Sequence, residues 1–333
     1  MLNVGVIGLG VMGKSHAQIY DRIPGINLKG ICGHHRDVMD ELHDRYGSDT
    51  YDDFRDLLAD ESIDAVSICL PDNLHLDATL EAVKRHKHIL LEKPIADNLK
   101  DAQTIYDAVK DYDRVFTLGY NLRQDTRYTR ARESIEKQEI GQIIHIASRR
   151  NSGIGGPLRF IGHTDLSMHV MCHDINIINW MVPSKPVSVF AKKRDCILKE
   201  YGMTDTILAI ITYEDGTIVS MEACWVMNPK WPSAVDDQLE IVGTEGVIYI
   251  EGCDKGYCLV NDDGVKRPDT RYRAVVNGHF AGDLGEELLG FLECIEKGKK
   301  PIVSAEEGLM DLKVVDAIER STSSGAEVMI EGA

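Results

Sequence analysis

Short apolar runs alternate with amphipathic stretches from the start of the chain to about Tyr120. Runs at 4–7, 28–32, 63–70, 88–91 and 115–118 read as strands buried on both faces. Stretches at 14–23, 38–46, 76–86 and 99–110 carry apolar residues at helical spacing. In the second of these Met39, Leu42 and Tyr46 share a face and Gly47 supplies the stop, while Pro24-Gly25 ends the first. Strands separated by helices predict an α/β architecture, with a doubly wound parallel sheet of Rossmann type over residues 1–120.

Past Tyr120 the period changes. After a helical stretch at 129–137, strand patterns dominate at 143–149, 187–191, 207–213, 218–225, 239–242 and 247–250. Glu214-Asp215-Gly216-Thr217 and Asp262-Asp263-Gly264 are hairpin signals, and helices at 283–297 and 305–321 close the chain. Residues 121–333 are therefore expected to form an α+β domain with an open, largely antiparallel sheet. One sheet face is apolar with no helices to cover it, which predicts a homodimer or homotetramer paired through it.

The 333 residues suffice for two cores. With 37 basic against 54 acidic side chains the net charge is −17, which repels phosphate backbones and anionic lipid. Nucleic acid and membrane surfaces are excluded as main partners. Eight cysteines, at 32, 69, 172, 196, 224, 253, 258 and 294, show no CxxC pair, and Cys69 sits in an apolar run. Reduced core thiols are expected, hence a cytoplasmic setting. The first strand begins so close to Met1 that no cleavable signal is expected, nor is a membrane span.

The first strand ends in Gly8-Leu9-Gly10-Val11-Met12-Gly13, and an amphipathic helix follows at once. Gly8 permits a tight turn, Gly10 lets the backbone approach a pyrophosphate, and Gly13 lets helix pack on strand. The N–H groups at the helix start, over Val11 and Met12, then point at the phosphates. At the end of the second strand, where a carboxylate usually holds the adenosine ribose, stands Gly33-His34-His35-Arg36. A glycine there, with Arg36 and His34 nearby, would accept a 2′-phosphate. NAD or NADP is expected as cofactor, with a preference for NADP(H). The opposing reading has Arg36 on the adenine and Asp37 as the acid, which leaves NAD.

Two further groups fall at strand ends, Pro71-Asp72-Asn73-Leu74-His75 and Glu92-Lys93-Pro94. A lysine at Lys93 would hold a substrate hydroxyl, and the proline after it admits a cis bond that would fix the lysine's direction. Gly8-Leu9-Gly10-Val11-Met12-Gly13 with His16, Pro71-x-Asn73-x-His75, Glu92-Lys93-Pro94 and Gly119-Tyr120-Asn121-Leu122-Arg123 together resemble the Gfo/Idh/MocA family. That family comprises NAD(P)-dependent sugar and inositol dehydrogenases and reductases. The resemblance covers essentially the whole chain. It implies that Lys93 is the catalytic-site lysine, and that Pro71, Asn73, His75 and Glu92 line the nicotinamide side of the cofactor cleft.

In the second domain, Asp165, His169 and His173 are each four apart, so one helical face is expected to carry all three. Matched through Trp180, the resemblance makes His173 the catalytic histidine and puts His169 and Asn176 where the family has carboxylates. Asp174 recurs in inositol-dehydrogenase-like members. A rival register puts the pair on Asp165 and His169 and abandons Trp180. An imidazole of ordinary pKa near ~6.5 suits a base for an alcohol proton. With His169 in the orienting place, the histidines share a proton or Asp165 orients the base. Satisfied core histidines are the bland alternative. Metal ligation by Asp165, His169 and His173 is another, though the intervening Glu of a zinc protease is missing and no metal is expected.

Arg123, Arg149, Arg159 and the Ser152–Gly156 loop are candidate walls of a substrate pocket. Lys192-Lys193-Arg194 reads first as a solvated face, and Trp225 as core. The expected activity is reversible oxidation of a secondary alcohol on a sugar, nucleotide sugar or cyclitol, with substrate contacts from Lys93, Arg123, Arg159, His169, His173 and Asp174. A redox-cycling glycosidase or lyase on the same fold and a non-catalytic NADP(H)-sensing protein are the alternatives.

Overall fold

The structure, a computed structural model, describes residues 1–159, 161–252 and 256–332. Cys253, counted with the thiols above, lies outside the described residues.

The chain divides into two units, residues 1–121 with 275–309, and residues 122–274 with 310–333. In the first unit, strands β1 (Leu2–Ile7), β2 (Ile26–Cys32), β3 (Asp49–Tyr51), β4 (Ala65–Ile68), β5 (His88–Glu92) and β6 (Phe116–Gly119) form one sheet in the order β3-β2-β1-β4-β5-β6. Every pairing in it is parallel. The order reverses at β1, the switch point at which dinucleotides bind in doubly wound sheets. Val4, Val6 and Ile7 of β1, and all of β4, are buried, as strands covered on both faces must be. Helices α1 (Val11–Tyr20), α2 (Arg36–Tyr46), α3 (Phe54–Ala59), α4 (His75–Lys84) and α5 (Leu99–Val109) make the crossovers. Gly47 ends α2 with φ 71°, and Asn98 caps α5 by accepting from the Asp101 N–H at 3.0 Å.

The continuous second domain expected over 121–333 is interrupted. Helix α8 (Asp283–Lys297) packs on α1, and Val303 extends the contacts of β6: the Leu118 N–H donates to its carbonyl at 3.1 Å, as does the Thr117 hydroxyl at 3.2 Å. Buried Leu284, Leu288 and Phe291 of α8 tie residues 275–309 to the first core. The remaining helices are α6 (Thr126–Glu136), α7 (Cys172–Met181) and α9 (Ala305–Ser324).

The second unit holds a seven-stranded sheet of β7 (Ile143–Gly153), β8 (Pro186–Arg194), β9 (Thr206–Tyr213), β10 (Ile218–Met227), β11 (Val235–Gly243), β12 (Val247–Glu251) and the terminal Val328–Met329. All its pairings are antiparallel except β7 with β10. Strand β9 alternates, with Ile207, Ala209 and Ile211 buried while Leu208 is 55% and Ile210 49% exposed. Ile210 stands opposite exposed Phe190 of β8, which extends the apolar row, and opposite polar Ser220 of β10 on its other side. Asp262-Asp263 joins Leu259–Asn261 to Gly264–Lys266 as a hairpin, as its turn residues predict.

Candidate functional site

In the first unit the expected cofactor residues gather at the carboxyl ends of parallel strands. Gly8 follows β1 with φ +90°, and a Cβ there would stand 2.5 Å from the Cys69 carbonyl oxygen beyond β4, so only glycine fits. A Cβ on Gly13 would lie 1.7 Å from the Gly8 carbonyl oxygen. Around Gly10, by contrast, a Cβ would meet nothing within 4 Å. Gly8 and Gly13 thus serve the turn and the helix packing, while Gly10 leaves open backbone at the start of α1. No side chain caps that helix and no acidic residue sits in its first turn, so the N–H groups over Val11 and Met12 suit a pyrophosphate.

Gly33, His34 and Arg36 follow β2, with His34 and Arg36 exposed. Arg36 pairs with Asp40 at 3.2 Å and Asp52 at 3.4 Å. The region is acidic: burial, then Asp53, Asp52 and Asp56, push the Cys32 thiol up to about 12. Pro71 and Asn73 lie exposed beyond β4, and Lys93 follows β5 with a cis peptide to Pro94.

His75, expected in the cofactor cleft, is buried at the ends of β4 and β5. It is 1% exposed, with Nδ1 2.9 Å from the Pro94 carbonyl oxygen and Nε2 3.0 Å from that of Leu70. Burial pushes its pKa down, against the pull of the two carbonyls, Asp72 and Glu92. Glu92 is likewise buried. Its Oε1 lies 3.3 Å from His16 Nε2, and His16 Nδ1 lies 3.5 Å from Cys69 Sγ. Cys69, His16 and Glu92 have donor atoms close enough for an ion, and the two ring nitrogens of His16 face different partners. Glu287 of α8 joins this buried group, and burial, then Glu92 and Asp283, hold its carboxyl well above the usual range.

In the second unit Leu166 opens a helix that passes through a π-helical turn, Ser167–Met171, into α7. The His169 N–H bonds to the Asp165 carbonyl at 2.9 Å, one ordinary turn back. Cys172, however, reaches Ser167, five residues back. That wider turn, Ser167–Met171, carries His169 and lies between Asp165 and His173. The Asp165 carboxylate accepts from the Leu166 N–H at 2.7 Å and from Thr204, through N–H at 3.3 Å and hydroxyl at 3.2 Å. The His169 ring lies 6.3 Å from that of Trp225, which is buried and donates from Nε1 to the Thr204 carbonyl at 2.5 Å.

Asp174 has a partner that sequence reasoning missed. Arg150 of β7 donates to it twice, Nε to Oδ2 at 2.7 Å and Nη2 to Oδ1 at 2.9 Å. Burial opposes the Arg150 charge, yet Asp174 and Tyr128 hold its pKa well above the ordinary value. The signal was present in the alternation of β7, which turns Arg150 and the buried Ser148 to one face. Arg123 is also buried, donating to Asn176 Oδ1 at 2.9 Å and lying 5.3 Å over the Trp180 ring. Asn176 and Asn179 both donate to Asp311, at 2.6 and 2.8 Å. Arg159 is exposed, Arg149 pairs with Asp236 at 2.9 Å, and Lys192, Lys193 and Arg194 form an exposed edge.

Residues 2–120 match a family model described as the oxidoreductase family, NAD-binding Rossmann fold, and residues 128–249 match the GFO/IDH/MocA C-terminal domain. The chain is 26% identical to myo-inositol 2-dehydrogenase of Thermotoga maritima, over 99% of both chains. It is 28% identical to scyllo-inositol 2-dehydrogenase (NAD(+)) of Bacillus subtilis, over 98% of this chain and 95% of that one. The solved scyllo-inositol dehydrogenase of Lactobacillus casei, with bound NAD(H) and scyllo-inositol, shares the fold with TM-score 0.88 at 24% identity, over 99% of each chain. No helix among the described residues is long and apolar enough to cross a membrane.

Proposed function

The chain belongs to the Gfo/Idh/MocA family of oxidoreductases, and from that premise we propose that it interconverts a secondary alcohol and a ketone on an inositol or a related sugar. The observation that carries this reading is the open backbone at Gly10, on the switch point of a parallel sheet in which β5, one strand beyond β4, ends just before Lys93. The full-length similarity to inositol dehydrogenases names the substrate class.

Gly8 to Gly13 and the start of α1 fit a dinucleotide pyrophosphate, and the bound nicotinamide would accept hydride from the substrate carbon. Lys93 holds and polarises the hydroxyl oxygen, and His173 removes its proton, with His169 beside it in sequence and Asp165 anchoring the segment. Asp174 supports this segment through Arg150. Incubation with myo- or scyllo-inositol and NAD⁺ or NADP⁺ should produce the reduced-nicotinamide absorbance. Release of a sugar fragment without net reduction would instead indicate the redox-cycling lyase or glycosidase. Cofactor binding with neither reaction would indicate a sensor.

The second cofactor reading is specific. Gly33, with Arg36 and His34, favours NADP(H), because no carboxylate occupies the strand end. The ion pairs of Arg36 with Asp40 and Asp52 favour NAD(H), since an incoming 2′-phosphate must compete with two carboxylates. We infer NAD(H) as the preferred cofactor, and the ratio of the two Kd values, with Asp52→Asn expected to shift it towards NADP(H), tests that inference.

A further inference from the structure

We propose that His75 is a positioning residue for Lys93: its ring bridges the Leu70 and Pro94 carbonyls and so ties the end of β5 to the end of β4. The proposal rests on the reading of Lys93 as the group that meets the substrate oxygen. Both carbonyls are acceptors only and a neutral imidazole carries a single N–H, so the ring donates one hydrogen bond and packs its other nitrogen against the second carbonyl. With both nitrogens so engaged and 1% of the residue exposed, no ring atom is left to bind a cofactor. What the ring does touch is the backbone immediately after Lys93. On the other side of Lys93, Glu92 is buried against His16 of α1. The backbone that carries the lysine is therefore held from both flanks, and each hold is a histidine from a crossover helix. Misplacing a reacting group by about 1 Å costs on the order of 10²-fold in rate, so such a hold acts on turnover without touching substrate.

The test separates positioning from cofactor binding, and its binding and labelling measurements do not depend on the substrate. Wild type, His75→Gln and His75→Leu are compared in three measurements: the Kd for NAD⁺, the rate of reductive methylation of Lys93 read by mass spectrometry, and the kcat with scyllo-inositol. The expected result is an unchanged Kd, a several-fold change in Lys93 labelling in His75→Leu with Lys84 labelling unaltered, and partial restoration by His75→Gln, whose amide keeps a donor. Turnover should fall roughly 10–100-fold in His75→Leu and fall no further in a Lys93→Ala background. Weakened NAD⁺ binding with unchanged Lys93 labelling would overturn the proposal and return His75 to the cofactor wall. Full activity of Lys93→Ala would instead defeat the reading of Lys93 itself, in a variant where His75 is intact. If His75→Leu does not fold, His75→Gln still decides, because unchanged labelling and turnover in it, beside an altered Kd, count against positioning.

Discussion

Gly13 lies so close over Gly8 that a methyl group on the first would stand 1.7 Å from the carbonyl oxygen of the second. The same turn leaves Gly10 facing open space. Structural and functional demands on the three glycines are thus separable. Gly13→Ala should destabilise the protein by about 1–3 kcal/mol, because the backbone must shift. Gly10→Ala should cost less than about 1 kcal/mol yet weaken NAD⁺ binding about tenfold or more. Paired thermal melts and cofactor titrations check both, and equal affinities for Gly10→Ala and wild type would remove the pyrophosphate site.

Replacement of His173 by Ala should lower turnover by roughly 10²–10⁴-fold with the NAD⁺ Kd unchanged. Single-turnover cofactor reduction with a competent inositol measures it. A rate near that of the wild type would move the base elsewhere, His169 being the next to test.

The Arg150–Asp174 pair is bidentate, with Asp174 buried and the Arg150 side chain 11% exposed. Asp174→Ala should cost about 3–5 kcal/mol, since it strands a largely buried guanidinium, whereas the double change Arg150→Met, Asp174→Leu should recover most of that. Urea melts of the three variants give the comparison. A neutral Asp174→Ala would free this carboxylate for a role at the substrate.

Glu287 sets a pH dependence whose sign follows from its raised carboxyl pKa. The folded state holds the proton above the pH at which the unfolded chain releases it. Stability is therefore full below the ordinary Glu value and falls as pH rises from there towards the folded value. Glu287→Gln should flatten that decline and stabilise the alkaline side by roughly 1–3 kcal/mol. Melting curves between about pH 4 and about pH 9 read it, and parallel curves for the two proteins would contradict the assignment.

The apolar row of Phe190 and Ile210 with neighbouring Leu208 is proposed as the pairing surface of a homodimer or homotetramer. Ile210→Glu should shift sedimentation towards the monomer while leaving the secondary structure intact. Wild type that sediments as a monomer would refute the pairing outright.

Much of this molecule was legible without coordinates because it is local. Helix α8 falls on the expected 283–297, and the β1 turn is written in three glycines whose spacing only a strand–turn–helix unit explains. Strand β3 and helix α3 escaped, at 3 and 6 residues, because neither is long enough to show a period. What tertiary structure alone decided is the fate of buried polar groups. Asp174 finds Arg150 at a separation of 24 residues, and His75 finds Pro94 at 19. The π-helical turn between Asp165 and His173 leaves no mark in the residue spacing. Periodicity reports which face of an element turns inward. It says nothing of what it meets there, and a buried charge or ring nitrogen is defined by what it meets.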